Sequence, residues 1–333
     1  MSDDLGPWME GLADANAPAA LPDPGTVLGT YKLIEVLRDG GMARIYTAEH
    51  TGLARRVALK MLAPQYAADA KMRQRFFSEA RAVNRVEHEH LVSITDFVED
   101  SGPYRYYIME LLKGETLRDR LTALRVLPMQ RAVAIMGQVA DALAAIHEAG
   151  IVHCDVKPDN VFLSERAGQR DFAKLLDFGV AKFEESGAAP ISGEVLGTPA
   201  YMSPEQVASK DVDYRSDVYS FGVVLYELLT GKLPFAAASP DDLAVKQLSI
   251  APPAPSKTAL LPERIPEALD TLVLQCLARD VDARPQSMQE VLLRLRMISH
   301  PTGVWTAMAS RLRDLVATRR RLVLGAAAAG AVL

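Results

Sequence analysis

The run His153-Cys154-Asp155-Val156-Lys157-Pro158-Asp159-Asn160 constrains this chain more than any other stretch. Asp155, Lys157 and Asn160 fall within one short loop closed by Pro158. A carboxylate can accept a proton from a hydroxyl, an ammonium can neutralise a phosphoryl group in flight, and a carboxamide oxygen can hold a metal ion. Seventeen residues beyond Asn160 comes Asp177-Phe178-Gly179, directly after the strand-like run Ala173-Lys174-Leu175-Leu176. Asp177 adds a second oxygen ligand suited to Mg²⁺, an ion usually held by one or two carboxylates plus phosphates. A fold that serves this chemistry must bring two separate loops to one cation.

At 333 residues the chain has room for two lobes, and 49% hydrophobic with 24% charged residues is an ordinary globular balance. A net charge of -5 gives no global basic field, so nucleic acid is not an expected partner. The two cysteines, Cys154 and Cys276, have no metal-like pairing and fit a reducing compartment without a disulfide framework. Residues 1–25 are acidic and rich in Pro and Ala, without the apolar core of a secretory signal. They read as a disordered leader, drawn to residue 30.

From Tyr31 to Met61 the pattern is strand, turn, strand, strand. Leu33, Ile34, Val36 and Leu37 lead into Arg38-Asp39-Gly40-Gly41-Met42-Ala43, and Ile45 and Tyr46 precede Val57-Ala58-Leu59-Lys60. A glycine-rich turn between strands lets backbone N–H groups approach phosphates, although the same turn also reads as an ordinary hairpin. Asp69 to Val86 is helical by the recurrence of Met72, Phe76, Ala80 and Val83, with Glu79 on the same broad face. A carboxylate beside an apolar stripe calls for a partner, because burying it unpaired is unfavourable. Strands follow at Leu91–Val98 and Tyr104–Leu112. Leu127–Ala149 is a long amphipathic helix with Pro128 at its start and Gly150 past its end. Ser216 to Leu229 is apolar on all sides, hence a buried helix stopped by Gly231, and Met288–Ile298 is a final helix.

The loop at Asp155 and the Asp177-Phe178-Gly179 motif, in this order and separation, resemble the catalytic loop and metal-binding motif of protein kinases. The resemblance runs from about Tyr31 to Ile298, and its pattern is similar to bacterial serine/threonine kinases of the eukaryotic type. It implies an α+β, bilobal fold: a small antiparallel-sheet lobe with one helix and hinge (31–112), and a larger, mainly helical lobe (113–298). It also implies ATP and Mg²⁺ as cofactors. Asp155 would orient the acceptor hydroxyl, Lys157 would offset charge on the phosphoryl group, and Asn160 and Asp177 would hold the metal. Lys60 would grip the α- and β-phosphates and pair with Glu79, and Thr198 would bond Asp155 and Lys157. Met109, Glu110 and Leu111 would form the hinge edge of the adenine pocket, with Met109 at its back, Leu37, Ile45 and Ala58 above the ring and Phe162 below, and Gly40 would be the retained glycine of the loop over the phosphates. Each pocket residue also has a plain reading as core. Asp217 would brace the catalytic loop and Arg284 would pair with Glu205, although Asp217 also reads as a helix-capping acid.

Lys157 and the Gly197–Glu205 segment resemble the serine/threonine type, so the implied substrates are protein Ser/Thr acceptors. Three departures stand out: Arg38 and Ala43 replace the first and third glycines of the loop motif, and Cys154 replaces the arginine that binds a phosphorylated activation loop. The last implies an activity little dependent on phosphorylation at loop sites such as Ser186 and Ser192. A nucleotide-binding pseudokinase scaffold and a small-molecule kinase are the competing readings. Past His300 the character changes: Trp305, Met308, Leu312, Leu315 and Val316 recur at helical spacing among arginines, and residues 322–333 are uncharged and apolar. The segment 299–321 reads as a basic amphipathic juxtamembrane segment, and 322–333, against the roughly 20 residues of a span, as either a transmembrane helix cut short by the end of the sequence or a brief apolar tail. The expectation is a cytoplasmic kinase domain anchored at the inner membrane, tested by liposome co-sedimentation with and without residues 301–333. A homodimer is also open.

Overall fold

The computed structural model describes residues 20–99, 103–166, 168–177, 199–260 and 264–299. Its first lobe is a six-stranded antiparallel sheet with strand order β1-β2-β3-β4-β6-β5. The strands are β1 (Val27–Leu28), β2 (Tyr31–Asp39), β3 (Ala43–His50), β4 (Arg56–Leu62), β5 (Ile94–Val98) and β6 (Tyr106–Met109). Between β4 and β5 lie a single turn, α1 (Pro64–Ala67), and α2 (Ala70–Asn84). The Asp69 side chain accepts from the N–H groups of Lys71 and Met72, which starts α2 where Pro64 has ended the strand region. Phe76, Phe77, Ala80 and Val83 of α2 are buried and join one core with Ala58, Tyr107 and Met109 of the sheet.

The hinge leads to a small three-stranded sheet, β7 (Gly114–Thr116), β8 (Val161–Arg166) and β9 (Gln169–Leu175), in the order β7-β8-β9. Gly114 has φ +150°, and a Cβ there would stand 1.9 Å from the Leu163 carbonyl oxygen, so only glycine fits this approach. The helices α3 (Leu117–Leu124) and α4 (Met129–Glu148) follow β7 in the chain. After the catalytic loop come α5 (Pro204–Val207), α6 (Arg215–Thr230), α7 (Pro240–Ser249), α8 (Pro255–Thr258), α9 (Glu267–Cys276) and α10 (Met288–Ser299). Helix α6 is buried along nearly its whole length, as its all-round apolarity requires, and ends at Gly231 with φ 68°.

The bilobal α+β architecture expected from the sequence is the observed one. The end of the expected leader differs. Residues 20–30 belong to the first lobe: β1 pairs with Tyr31 and Lys32, the Gly25 N–H donates to the Leu33 carbonyl, and the Tyr46 hydroxyl donates to the Pro22 carbonyl. Backbone pairing against an existing strand orders a segment whose composition alone signals disorder. The two later strands are also shorter than expected: Leu91 and Val92 pair with Leu175 of β9 instead of extending β5, and residues 110–112 leave β6 for the hinge. The activation-loop positions Ser186, Ser192 and Thr198, and residues 300–333, lie outside the described residues. Among the described residues no helix is long and apolar enough to cross a membrane.

Candidate active site

Strand β4 places Ala58 and Lys60 two residues apart, so both side chains face the same side of the sheet. Ala58 opposes Met109 across the β4–β6 ladder, and Lys60 opposes Ile45 across β3–β4. Ala58 and Met109 are buried, with Ile45 and Leu111 packed against their cluster. Leu37 is 49% exposed at the mouth, and Phe162 is half-buried on β8 opposite Thr116. The Glu110 N–H donates to the Ser93 carbonyl at 2.9 Å. Its carboxylate accepts from the Ser93 N–H at 2.8 Å and from Lys174 Nζ at 2.7 Å, so this hinge side chain is fixed by β9. The Gly40 N–H donates to the Ala43 carbonyl at 3.1 Å. That bond closes the turn between β2 and β3.

The Lys60 ammonium lies 2.9 Å from Glu79 Oε1 and 2.8 Å from Asp177 Oδ1. Tyr107 adds a hydroxyl donor to Glu79 Oε1 at 3.3 Å. Burial alone would lower the Lys60 pKa, but the Asp177 and Glu79 charges outweigh it and hold the ammonium well above its usual range. Burial pushes Glu79 up to about 7 against the pull of Lys60, with the Asp177 charge adding to the rise. Asp177 is held below the ordinary carboxylate range: burial opposes this, and the Lys60 charge and hydrogen bond prevail. Its backbone sits at φ 38°, a left-handed conformation that turns the chain sharply after β9.

The catalytic loop is held from three sides. Lys157 Nζ lies 2.8 Å from Asp155 Oδ2, and Asn160 Nδ2 donates to the Asp155 backbone oxygen at 2.9 Å and to Oδ2 at 3.1 Å. The Leu176 N–H donates to the Asn160 carbonyl at 2.8 Å, which ties the loop to the approach of Asp177. From beneath, Asp217 of α6 accepts from the His153 N–H at 2.7 Å and the Cys154 N–H at 2.8 Å, with His147 Nε2 at 2.7 Å. Asp217 therefore braces the loop and does not cap its own helix. Arg284 and Glu205 form a two-pronged buried pair with both bonds at 2.7 Å.

A two-oxygen set of one carboxylate and one carboxamide suits Mg²⁺, which keeps water and phosphate oxygens for its remaining positions. Asn160 commits its amide nitrogen to Asp155 and, at 3.5 Å, to the Asp177 backbone carbonyl, which leaves its side-chain oxygen as the end suited to a metal. The donor set of Asn160 and Asp177 thus fits the expected ion. Thr198 lies outside the described residues.

Two contacts were not legible beforehand. Arg118 of α3 joins Asp159 at 3.3 Å, Glu227 at 2.9 Å and the Tyr201 hydroxyl, linking the catalytic loop, α6 and the end of the activation segment. Lys174 bridges β9 to the hinge. Both look like solvated surface charges in sequence. The one available cue was the capping pair Thr116 and Asp119, which marks the start of the helix bearing Arg118.

A small antiparallel lobe, a mainly helical lobe, and a site between them where a lysine–glutamate pair meets a second carboxylate, Asp177, define a protein kinase domain. The chain belongs to that family: the protein kinase domain model matches residues 31–294. It is similar to the serine/threonine-protein kinase Pkn2 of Myxococcus xanthus, 42% identical over 273 residues, covering 81% of this chain and 32% of that protein. Serine/threonine-protein kinase PknD of Mycobacterium tuberculosis is 37% identical over 274 residues, covering 82% of this chain and 40% of that protein. The chain thus spans about a third to two fifths of the length of these curated relatives. The crystal structure of the Mycobacterium tuberculosis PknI kinase domain matches with a TM-score of 0.61 at 27% identity, over 84% of this chain and 99% of that one.

Proposed function

We propose that the chain transfers the γ-phosphoryl group of ATP to serine or threonine hydroxyls of protein substrates. The observation that carries this reading is the assembly of both halves of the chemistry. Asp155, Lys157 and Asn160 interlock in one loop, and Lys60 holds Glu79 and Asp177 within 2.9 Å. Asp155 orients the acceptor hydroxyl and accepts its proton, and Lys157, already paired to it, offsets charge on the phosphoryl group as it passes. Lys60 fixes the α- and β-phosphates while Glu79 holds its ammonium in place. Asn160 and Asp177 would hold Mg²⁺, which supplies charge neutralisation at the phosphate oxygens. The work is positioning and electrostatics, with no covalent intermediate on the protein.

The acceptor class rests on Lys157 and on the similarity to bacterial serine/threonine kinases. Asp155→Asn is the deciding variant. Phosphate transfer to a generic protein substrate should fall at least about a hundredfold with nucleotide affinity retained. Equal transfer by both proteins rejects the assignment of Asp155. Nucleotide binding without transfer by the wild type supports a pseudokinase scaffold, the reading favoured by Arg38, Ala43 and Cys154.

Because Cys154 cannot bind a loop phosphate, activity should be insensitive to loop phosphorylation. Replacing both Ser186 and Ser192 by Ala should leave turnover within about threefold, and a loss of about a hundredfold would contradict this. Membrane-surface association through residues 299–333 is supported by their basic, amphipathic sequence, and the liposome comparison above reads it.

A further inference from the structure

We infer that Gln206 is a positioning residue for Asp155, a latch between the end of the activation segment and the catalytic loop. The inference rests on the kinase reading above. Cys154 stands immediately before Asp155 in a left-handed conformation, φ 64°, which is strained for a side chain of its size. Such a conformation persists only where its peptide groups are held. The peptide plane between Cys154 and Asp155 is held at both ends. Its carbonyl oxygen accepts from Gln206 Nε2 at 3.0 Å. Its N–H, on Asp155, donates to His153 Nδ1 at 3.2 Å, in the tautomer whose Nε2–H donates to the Leu176 carbonyl. The preceding plane is held by Asp217 through the Cys154 N–H. Rotation of the plane after Cys154, about ψ of Cys154 and φ of Asp155, would swing the Asp155 carboxylate, and the Gln206 bond opposes that rotation.

Gln206 has a firm base from which to do so. It is the third residue of α5, whose N-cap Ser203 is fully buried. Its Oε1 accepts from the Ser203 N–H at 2.9 Å, and the Ser203 hydroxyl accepts from the Gln206 N–H at 3.3 Å. The adjacent Glu205 is clamped by Arg284 and by the Ser216 hydroxyl. The two ends of one carboxamide therefore serve two elements: oxygen to α5, nitrogen to the catalytic loop. Where an arginine at position 154 would couple the loop to a phosphate, this chain carries a permanent amide link.

Gln206→Glu separates the two ends. A glutamate keeps the cap, since Ser-x-x-Glu caps as Ser-x-x-Gln does, but presents an oxygen to the Cys154 carbonyl in place of a donor. The expected result at about pH 8 is an unchanged unfolding midpoint, unchanged nucleotide affinity and a kcat about tenfold lower. The deficit should narrow toward about pH 6, as a carboxyl facing a carbonyl oxygen takes up a proton and donates again. Amides of His153–Val156 should exchange faster in the variant. A folded Gln206→Glu protein with wild-type kcat, or one whose deficit is indifferent to pH, overturns the inference. If that variant is too unstable to assay, Gln206→Ala serves: wild-type kcat there overturns it equally. If the wild type itself transfers no phosphate, the kinase reading fails, and the latch is then judged by amide exchange alone, with unchanged protection rejecting it.

Discussion

Lys60 meets two carboxylates with a single ammonium, and the outcome is uneven. Asp177 is held below its usual range by the Lys60 charge and hydrogen bond against its burial, while burial pushes Glu79 up to about 7. A carboxyl whose pKa is higher in the folded than in the unfolded chain binds extra protons when folded, so its contribution to stability declines as pH rises. For Glu79 that window runs from its ordinary 4.5 to about 7. Glu79→Gln removes the titration. The stability of wild type relative to Glu79→Gln should therefore fall between those limits, measured by thermal unfolding across pH. A flat difference would contradict the shift. At this scale much of the site was readable from residue type and order: Lys60, Glu79, Asp155, Lys157, Asn160 and Asp177 are brought together. The bond between the Gly40 N–H and the Ala43 carbonyl was not, because turn geometry is not encoded in composition.

Helix α6 organises the larger lobe as an element. Asp217 holds the catalytic loop, Ser220 Oγ donates to the Tyr201 carbonyl at 2.7 Å, and Glu227 takes Arg118. Beside it, Arg284 ties Glu205 of α5 to the far end of the domain, with the Tyr219 ring 5.2 Å from its guanidinium. Burial would raise Glu205, but its bonds and charge contact with Arg284 hold it below the ordinary range. Its pairing thus contributes stability above its usual value of 4.5 and loses it as pH falls below. Arg284→Met leaves that carboxylate buried and unpaired, and should destabilise the domain by about 3–5 kcal/mol in denaturant unfolding, with the larger loss near neutral pH. A change under about 1 kcal/mol would show that the pair contributes little beyond its own desolvation. The long helices α2, α4 and α10 carry clear periodicity, and α6 is marked by its all-round apolarity. Single-turn α1, α5 and α8 are too short to show either, and only their prolines and, for α5, the Ser203 cap mark them.

For the molecule as a whole, the bonds that join the lobes among the described residues cluster around β9 and Asp177. Lys60 reaches Asp177, Lys174 reaches Glu110, and the end of β9 trades backbone bonds with His90 and Val92. The two-lobe plan was legible because the motifs occur in a fixed order along the chain. The bonds that join the lobes were not, because they pair residues far apart in sequence: Lys60 and Asp177 lie 117 positions from each other.

The stitching of residues 20–30 onto the sheet has a practical consequence. The family model opens at Tyr31, yet the backbone of Leu33 is bonded to Gly25 and Thr26, and the hydroxyl of Tyr46 to Pro22. Deleting residues 1–30 would strip the sheet's margin, leave Leu33 open to water and offer an unguarded ladder to neighbouring molecules. Such a shortened protein should melt at lower temperature than one shortened only to residue 20, and scatter more light on standing. Anyone trimming this kinase for crystals or assays should place the cut before Leu21.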